Sequence, residues 1–143
     1  MIETTGNIWD YQGKAIIAIT TNGSVSRSGK AIMGRGVAAQ AAGLFQTLSV
    51  TLGTAIKNGG NHVHYLGHNI VSFPVEHSPF EIPDLHLIKR SAIELVQIAD
   101  ELGWSQIVVP RPGCGGGGLL WKDVKPILEI FFDQRFTVIS VDK

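Results

Sequence analysis

The sequence predicts an α/β fold in which a mostly parallel sheet carries helices on both faces. Apolar runs of strand length alternate with stretches of helical periodicity, the pattern of strand–helix–strand units. The first run, Ala15-Ile16-Ile17-Ala18-Ile19, is apolar at every position, as suits a strand covered on both sides. Glycine-rich segments fall where strands end and helices begin, which is where open parallel sheets bind ligands.

The elements follow in order. After the 15–19 strand and a Gly/Ser-rich stretch, Val37, Ala41, Phe45, Leu48, Leu52 and Ile56 recur at spacings of three and four, a helix with a break near Gly43 or Gly53. Asn58-Gly59-Gly60-Asn61 stops it. Residues 62–66 and 69–73 read as two further strands. Leu85, Ile88, Ala92, Leu95, Ala99 and Leu102 form the cleanest helical stripe, with Asp84 placed to cap its start and Gly103 its end. Residues 106–109 form a strand stopped by Pro110 and Pro112. Residues 121–132 are helical, with Pro126 marking a kink or a late start. Residues 136–141 form the last strand.

The chain has 143 residues, a length that suits one domain over residues 1–143 and a core that needs no staple. Hydrophobic residues at 44% and charged residues at 17% exclude a disordered chain. Twelve Lys and Arg balance twelve Asp and Glu, which argues against nonspecific nucleic-acid binding while leaving room for a local basic patch. The single cysteine, Cys114, excludes an intramolecular disulfide framework and fits a reducing compartment. Residues 1–6 lack the basic and apolar blocks of a signal peptide, and no apolar run approaches the ~20 residues that span a bilayer. The expectation is a cytoplasmic chain without membrane contact. Nothing in the pattern fixes an oligomeric state.

Three loops can carry chemistry. The first follows the 15–19 strand through Thr20-Thr21-Asn22-Gly23 to Met33-Gly34-Arg35-Gly36 and the Val37 helix; helix-start amides and glycine backbone attract anions there, against a mobile surface loop as the plainer reading. The second, Pro110-Arg111-Pro112-Gly113-Cys114-Gly115-Gly116-Gly117-Gly118-Leu119, has five glycines in six residues, so a phosphate can lie against bare amides. The third, Ser72 to Ser78, sets Glu76 and His77 at a strand end, either as acid and base or as solvated loop residues.

Several further motifs are weighed and set aside. Gly113-x-Gly115-x-x-Gly118 matches a dinucleotide fingerprint, but no acidic residue ends the next strand; Asp142 comes too late. Gly23 to Lys30 is one residue too long for a P-loop, and Ala31 stands where a magnesium-binding hydroxyl belongs. His62, His64 and His68 offer too few ligands for a structural metal, and no cofactor is called for. Cys114 is a nucleophile only if a helix start lowers its pKa; otherwise it is a small residue packed under the loop. Trp9 and Trp121 flank the site in sequence and can stack on a ligand or simply pack.

Gly6-Asn7-Ile8-Trp9, Thr21-Asn22-Gly23, Met33-Gly34-Arg35-Gly36-Val37-Ala38 and Gly113-Cys114-Gly115-Gly116-Gly117-Gly118-Leu119-Leu120-Trp121, taken together and in this order, resemble the macrodomain family. The likeness spans nearly the whole chain. It is nearest to the branch containing terminal ADP-ribose protein glycohydrolases and the antitoxins that remove ADP-ribose from DNA. The resemblance implies a three-layer α/β/α fold with a mixed, mostly parallel sheet, and a pocket for ADP-ribose or an ADP-ribosylated molecule. It places Asn7 and Ile8 at the adenine, where the family has an acidic residue, with Asp10 as a possible substitute. It places Asn22 near the distal ribose, Gly34, Arg35, Gly36 and Val37 over the distal ribose and diphosphate, and residues 113–119 at the phosphates. The branch lysine falls at Val75-Glu76 and the acidic residue of the better-known eukaryotic member near Gly117. A carboxylate cannot form the imine that a lysine forms. The resemblance therefore leaves two readings: a module that binds ADP-ribose, or a hydrolase of ADP-ribosyl linkages or of ADP-ribose 1″-phosphate that uses Asn22, Glu76 and His77 without the lysine. A Rossmann-type nicotinamide enzyme is a third.

Overall fold

The structure is a computed structural model and describes residues 1–141. Five strands, β1 (Ile2–Thr5), β2 (Ile16–Thr21), β3 (Ile70–Pro74), β4 (Ile107–Pro110) and β5 (Phe136–Ser140), form one sheet in the order β1-β5-β4-β2-β3. Every ladder in it is parallel. Antiparallel pairing among the described residues is confined to two isolated bridges, Val25 with Ala31 and Tyr65 with Val71. The helices are α1 (Val37–Leu44), α2 (Leu48–Gly59), α3 (Leu85–Leu102) and α4 (Trp121–Phe131), and a 3-10 turn spans Ile8–Tyr11.

Alternate residues of the strands divide the apolar core in two. Ile16, Ala18, Ile107, Val109, Phe136 and Val138 face α3 and α4, packing with Ile88, Leu95, Val124 and Leu128. Ile17, Ile19, Val108 and Ile139 face the other way, onto Ile8, Ala41, Leu48 and Leu52 of the 3-10 turn, α1 and α2. The period-two alternation of a strand thus makes the α/β/α sandwich expected from the sequence. The continuous apolar runs of β2 and β4 are buried on both faces.

The caps read from the sequence are in place. Asp84 Oδ1 accepts from the His86 N–H at 2.9 Å, and Gly103 closes α3 with φ of 69°. Pro126 lies inside α4. One local expectation needs correction. Residues 62–66 are not a strand: they make a single isolated antiparallel bridge, Tyr65 with Val71, through the Leu66 N–H donating to Ile70 and the Ser72 N–H donating to His64, while the Ser72 hydroxyl donates to the His62 carbonyl and accepts from the His64 N–H. β1 has no apolar run to announce it, because its Ile-Glu-Thr-Thr sequence lies exposed on the sheet edge. The expected helix break falls at residues 45–47, just past Gly43, and Gly53 continues the second helix.

Gly53 is retained for contact. A Cβ there would overlap the Gly29 carbonyl and come within 2.9 Å of the Ala31 nitrogen, so α2 presses directly on the loop after β2. Gly43, in α1, has open space around it. Gly53→Ala is expected to destabilise the chain by about 2 kcal/mol or more through steric strain. Gly43→Ala should stabilise it by about 0.5 kcal/mol, as helix propensity dictates. Urea unfolding of both variants checks the pair; a stabilised Gly53→Ala would contradict the packing.

Candidate functional site

Because all strands run the same way, the loops after β2, β3 and β4 leave from one edge of the sheet. β2 and β4 are neighbours, yet their chains depart to opposite faces, towards α1 and α4 respectively. A crevice opens between two such loops at a topological switch point.

The loop after β2 is folded by its own side chain. Asn22 is buried; its Nδ2 donates to the Ile32 carbonyl at 2.9 Å and its Oδ1 accepts from the Ser24 N–H at 2.9 Å. The excursion between them is pinned on α2, where the Ala31 N–H donates to the Ser49 carbonyl. Chain then crosses the sheet edge through Gly34 and Gly36, with φ of 62° and 71°, backbone angles that β-carbons resist. The amides of Gly34, Arg35 and Gly36 donate to no protein acceptor among the described residues.

The loop after β4 is closed by the Leu119 N–H donating to the Gly113 carbonyl. Gly115, Gly116 and Gly117 likewise keep amides without a protein acceptor among the described residues. Arg35 reaches across, its Nη2–H donating to the Gly116 carbonyl at 2.9 Å. The two glycine loops are thus in direct contact. At Gly117, a Cβ would meet Pro83 Cγ at 2.6 Å and the Gly113 oxygen at 2.7 Å, so this loop conformation has no room for a side chain there.

The third loop is clamped through its backbone. Ser91 Oγ donates to the buried Pro74 carbonyl at 2.6 Å, the Val75 N–H donates to Thr21, and the Gly23 N–H donates to His77. Asn61 Nδ2 donates to the Glu76 carbonyl at 3.2 Å. The Glu76 carboxyl is pushed above the ordinary carboxylate range by burial, a rise that Arg35 opposes and Glu81 assists.

Together the loops line a cleft of about 1510 Å3. It runs along the carboxyl edge from Gly6, Asn7, Ile8 and Ile139–Val141, past the two glycine loops, to Asn22, Val75 and Glu76. Of the residues expected from sequence, Asn7, Ile8, Asn22, Gly34, Arg35, Gly36, Val37, Glu76, Gly113 to Gly117 and Leu119 all line it. Gly118 does not, and neither does His77, which points to a shallow depression beside Pro83 with its Nε2 3.3 Å from Asp84 Oδ2. Asp10 sits on the 3-10 turn outside the lining, while Asn7 Oδ1 caps that turn by accepting from the Trp9 N–H. Asp142 lies outside the described residues.

The remaining candidates have structural employment. Burial pushes the Cys114 thiol up, with Arg111 opposing and Asp123 assisting, so it rests as a neutral thiol. His62 pairs with Glu94 at 2.7 Å, His64 Nε2 bonds the Gly60 carbonyl, and His68 stacks on Phe45. No group of three His, Cys, Asp or Glu among the described residues can hold a metal. Trp9 bonds Gln40, whereas Trp121 lines the cleft beneath Arg111. No sequence pattern marks Arg111 or the 79–83 segment, which line the cleft and where Phe80 is 96% exposed, or Asn61, which braces the Glu76 backbone from outside it.

No known family model matches the chain. Two curated relatives, DNA ADP-ribosyl glycohydrolases of Mycobacterium tuberculosis and Mycobacterium bovis, are 33% identical over 73 residues, which is 51% of this chain and 21% of theirs. The chain therefore matches about a fifth of the length of those relatives. Among solved structures, the macrodomain of Thermus aquaticus DarG superposes with a TM-score of 0.79 at 23% identity, covering 99% of this chain and 97% of that one. The macrodomain of Mycobacterium tuberculosis DarG gives 0.78 at 24% identity, with 99% and 98% covered. Thermosipho africanus DarTG, solved in complex with ADP-ribose, gives 0.76 at 18% identity over 96% of this chain and 40% of that one. Superposing along nearly its whole length on these macrodomains, the chain has the macrodomain fold.

Proposed function

We propose that residues 1–143 act as one unit that binds ADP-ribose, or a molecule carrying an ADP-ribosyl group, in the cleft at the carboxyl edge of the sheet. The observation that carries this reading is the meeting of the two glycine loops, with Arg35 bonded to Gly116 and six neighbouring amides unspent among the described residues. Convergent amides make a cradle for a diphosphate. The adenine then lies by Asn7, Ile8 and Val141, where the Asn7 amide nitrogen supplies a donor to a purine nitrogen. The distal ribose lies by Asn22, Val75 and Glu76. The curated relatives and the ADP-ribose complex of a similar fold support the choice of ligand.

Calorimetry with ADP-ribose and with AMP tests the reading. ADP-ribose is expected to bind at least about tenfold more tightly, the gain of a second phosphate and ribose held by loop amides. Equal affinities would overturn it.

A second reading is favoured by Glu76, whose partly desolvated carboxyl borders the distal-ribose end. There it can take a proton from a water that attacks the anomeric carbon; the bond to the attached group breaks, the proton passes to the departing atom, and free ADP-ribose is released with the unmodified acceptor. Glu76→Gln is expected to abolish release of ADP-ribose from an ADP-ribosylated oligonucleotide while leaving affinity for free ADP-ribose within about twofold. Wild-type protein without turnover at high enzyme concentration would remove this reading and leave the binding one intact.

The raised Glu76 pKa also fixes a sign. Its ionisation is worth less in the folded chain than in the unfolded one, so its cost is absent below the unfolded value and develops as pH rises through the folded value. Glu76→Gln is expected to raise Tm at about pH 7 and to leave it unchanged near pH 3. An identical shift at both values would show that the carboxyl is not desolvated.

A further inference from the structure

We propose that the cleft contains a second anionic subsite at its adenosine end, in which Arg111 takes a phosphomonoester on the adenosine ribose. The inference rests on the ligand orientation proposed above.

Arg111 follows Pro110, the last residue of β4, and Pro110 is in register with Ile139 of β5. β5 in turn pairs with β1, Ser140 opposite Thr5, which brings Ile139, Ser140 and Val141 beside Gly6 and Asn7. β4 lies between β5 and β2, so its register alone leaves Arg111 midway along the edge; the stacking of its guanidinium on Trp121, which is bonded to Glu3 of β1, turns the side chain to the β1–β5 half of the cleft, away from Asn22 and Glu76.

Its side chain is held there. The guanidinium carbon lies 4.9 Å from the centre of the Trp121 ring. Trp121 is itself anchored, its Nε1–H donating to Glu3 Oε1 at 3.0 Å, and Glu3 is neutralised by Lys125 at 2.7 Å. Stacking occupies the face of a guanidinium and leaves its in-plane N–H fork free, which is the geometry that matches a phosphate bidentately. Among the described residues no carboxylate lies within ion-pair distance of Arg111, although Arg90 has one and Arg135 has two.

Arg35 and Arg111 are the two cationic side chains lining the cleft. Arg35 is committed to the loop junction, where the amides already meet the diphosphate. Arg111 is therefore a fixed cation with unspent donors opposite the adenosine ribose, whose hydroxyls are neutral in ADP-ribose itself. A phosphate there adds about −1.5 to −2 charges at neutral pH. Dinucleotide sites that accept a 2′-phosphate use an arginine in the same way.

The test is calorimetry at fixed ionic strength with ADP-ribose and ADP-ribose 2′-phosphate, alongside AMP, adenosine 2′,5′-bisphosphate and adenosine 3′,5′-bisphosphate. The bisphosphates locate the phosphate on the 2′ or the 3′ oxygen. At least one phosphorylated ligand is expected to bind about tenfold or more tightly than its parent. The advantage should vanish in Arg111→Gln, shrink in Trp121→Leu where the platform is lost, and fall with added salt. ADP-ribose itself should bind Arg111→Gln nearly as it binds wild type. Binding of ADP-ribose with no gain from any added phosphate would overturn this proposal alone. So would an equal loss of ADP-ribose and its 2′-phosphate in Arg111→Gln, which would assign Arg111 to the diphosphate. Failure of every ligand to bind would overturn the ADP-ribose reading and this one with it.

Discussion

The direction of the five strands is the constraint on which the rest depends. A parallel ladder sends every strand end to the same edge, so three loops scattered over about ninety residues of sequence arrive side by side. The order β1-β5-β4-β2-β3 adds a second condition. Neighbouring β4 and β2 hand their chains to helices on opposite faces, and the gap left between the departing loops is the cleft. Had the two loops turned to the same face, the glycines at 34–36 and 115–117 would lie along one wall instead of facing one another. The Arg35–Gly116 bond closes that gap at its midpoint.

Much of this was legible in the sequence because it rests on local rules. The stripe from Leu85 to Leu102 has one period, one cap and one C′ glycine, and the helix follows them. β2 and β4 are continuous apolar runs, and both are central strands. The glycine loops were visible because their composition is unusual. What escaped has the opposite character. β1 is a short polar edge whose pairing with β5 is a contact between the two ends of the chain. Residues 62–66 have strand composition, but the Ser72 hydroxyl and the Glu94 carboxylate take the backbone groups at 62–64 and leave a single bridge to β3. Gly53 looks like a helix breaker and is a contact surface, because what decides its role is Gly29, far from it in sequence. Arg111 carries no motif, since a guanidinium acquires its meaning from the ring it lies on and the cleft it faces.

The site also shows which of its chemistry resides in side chains. Asn22 spends both ends of its amide on shaping its own loop. Gly117 sits against Pro83 and the Gly113 carbonyl, so an acidic residue there requires a different loop conformation. Its glycine is coupled to the 79–83 segment, and restoring a carboxylate is not a matter of one substitution. In the proposed binding, recognition is thereby left mainly to backbone amides, whose donors cannot rotate away and whose conformational cost is met on folding. Amides read the shape and charge of a diphosphate well and the identity of the group beyond it poorly. In the proposed orientation, discrimination between ligands falls to the few side chains at the two ends.

Those ends differ in charge. Glu76 and Glu81 border one, Arg111 stands at the other, and Arg35 lies between. An anionic ligand entering such a cleft is repelled from the carboxylate end unless its terminal group there is neutral, as a ribose is. The same field draws negative charge towards Arg111. Partial burial strengthens both effects, because charges lining a cleft are screened less than charges on an open surface. In the proposed orientation the carboxylate end faces a neutral ribose, and the adenosine end has capacity for one more anion. The two features share a cause in the fold: β3 and β4 lie on opposite sides of the switch point, and the loops that leave them bring Glu76 and Arg111 to its two ends.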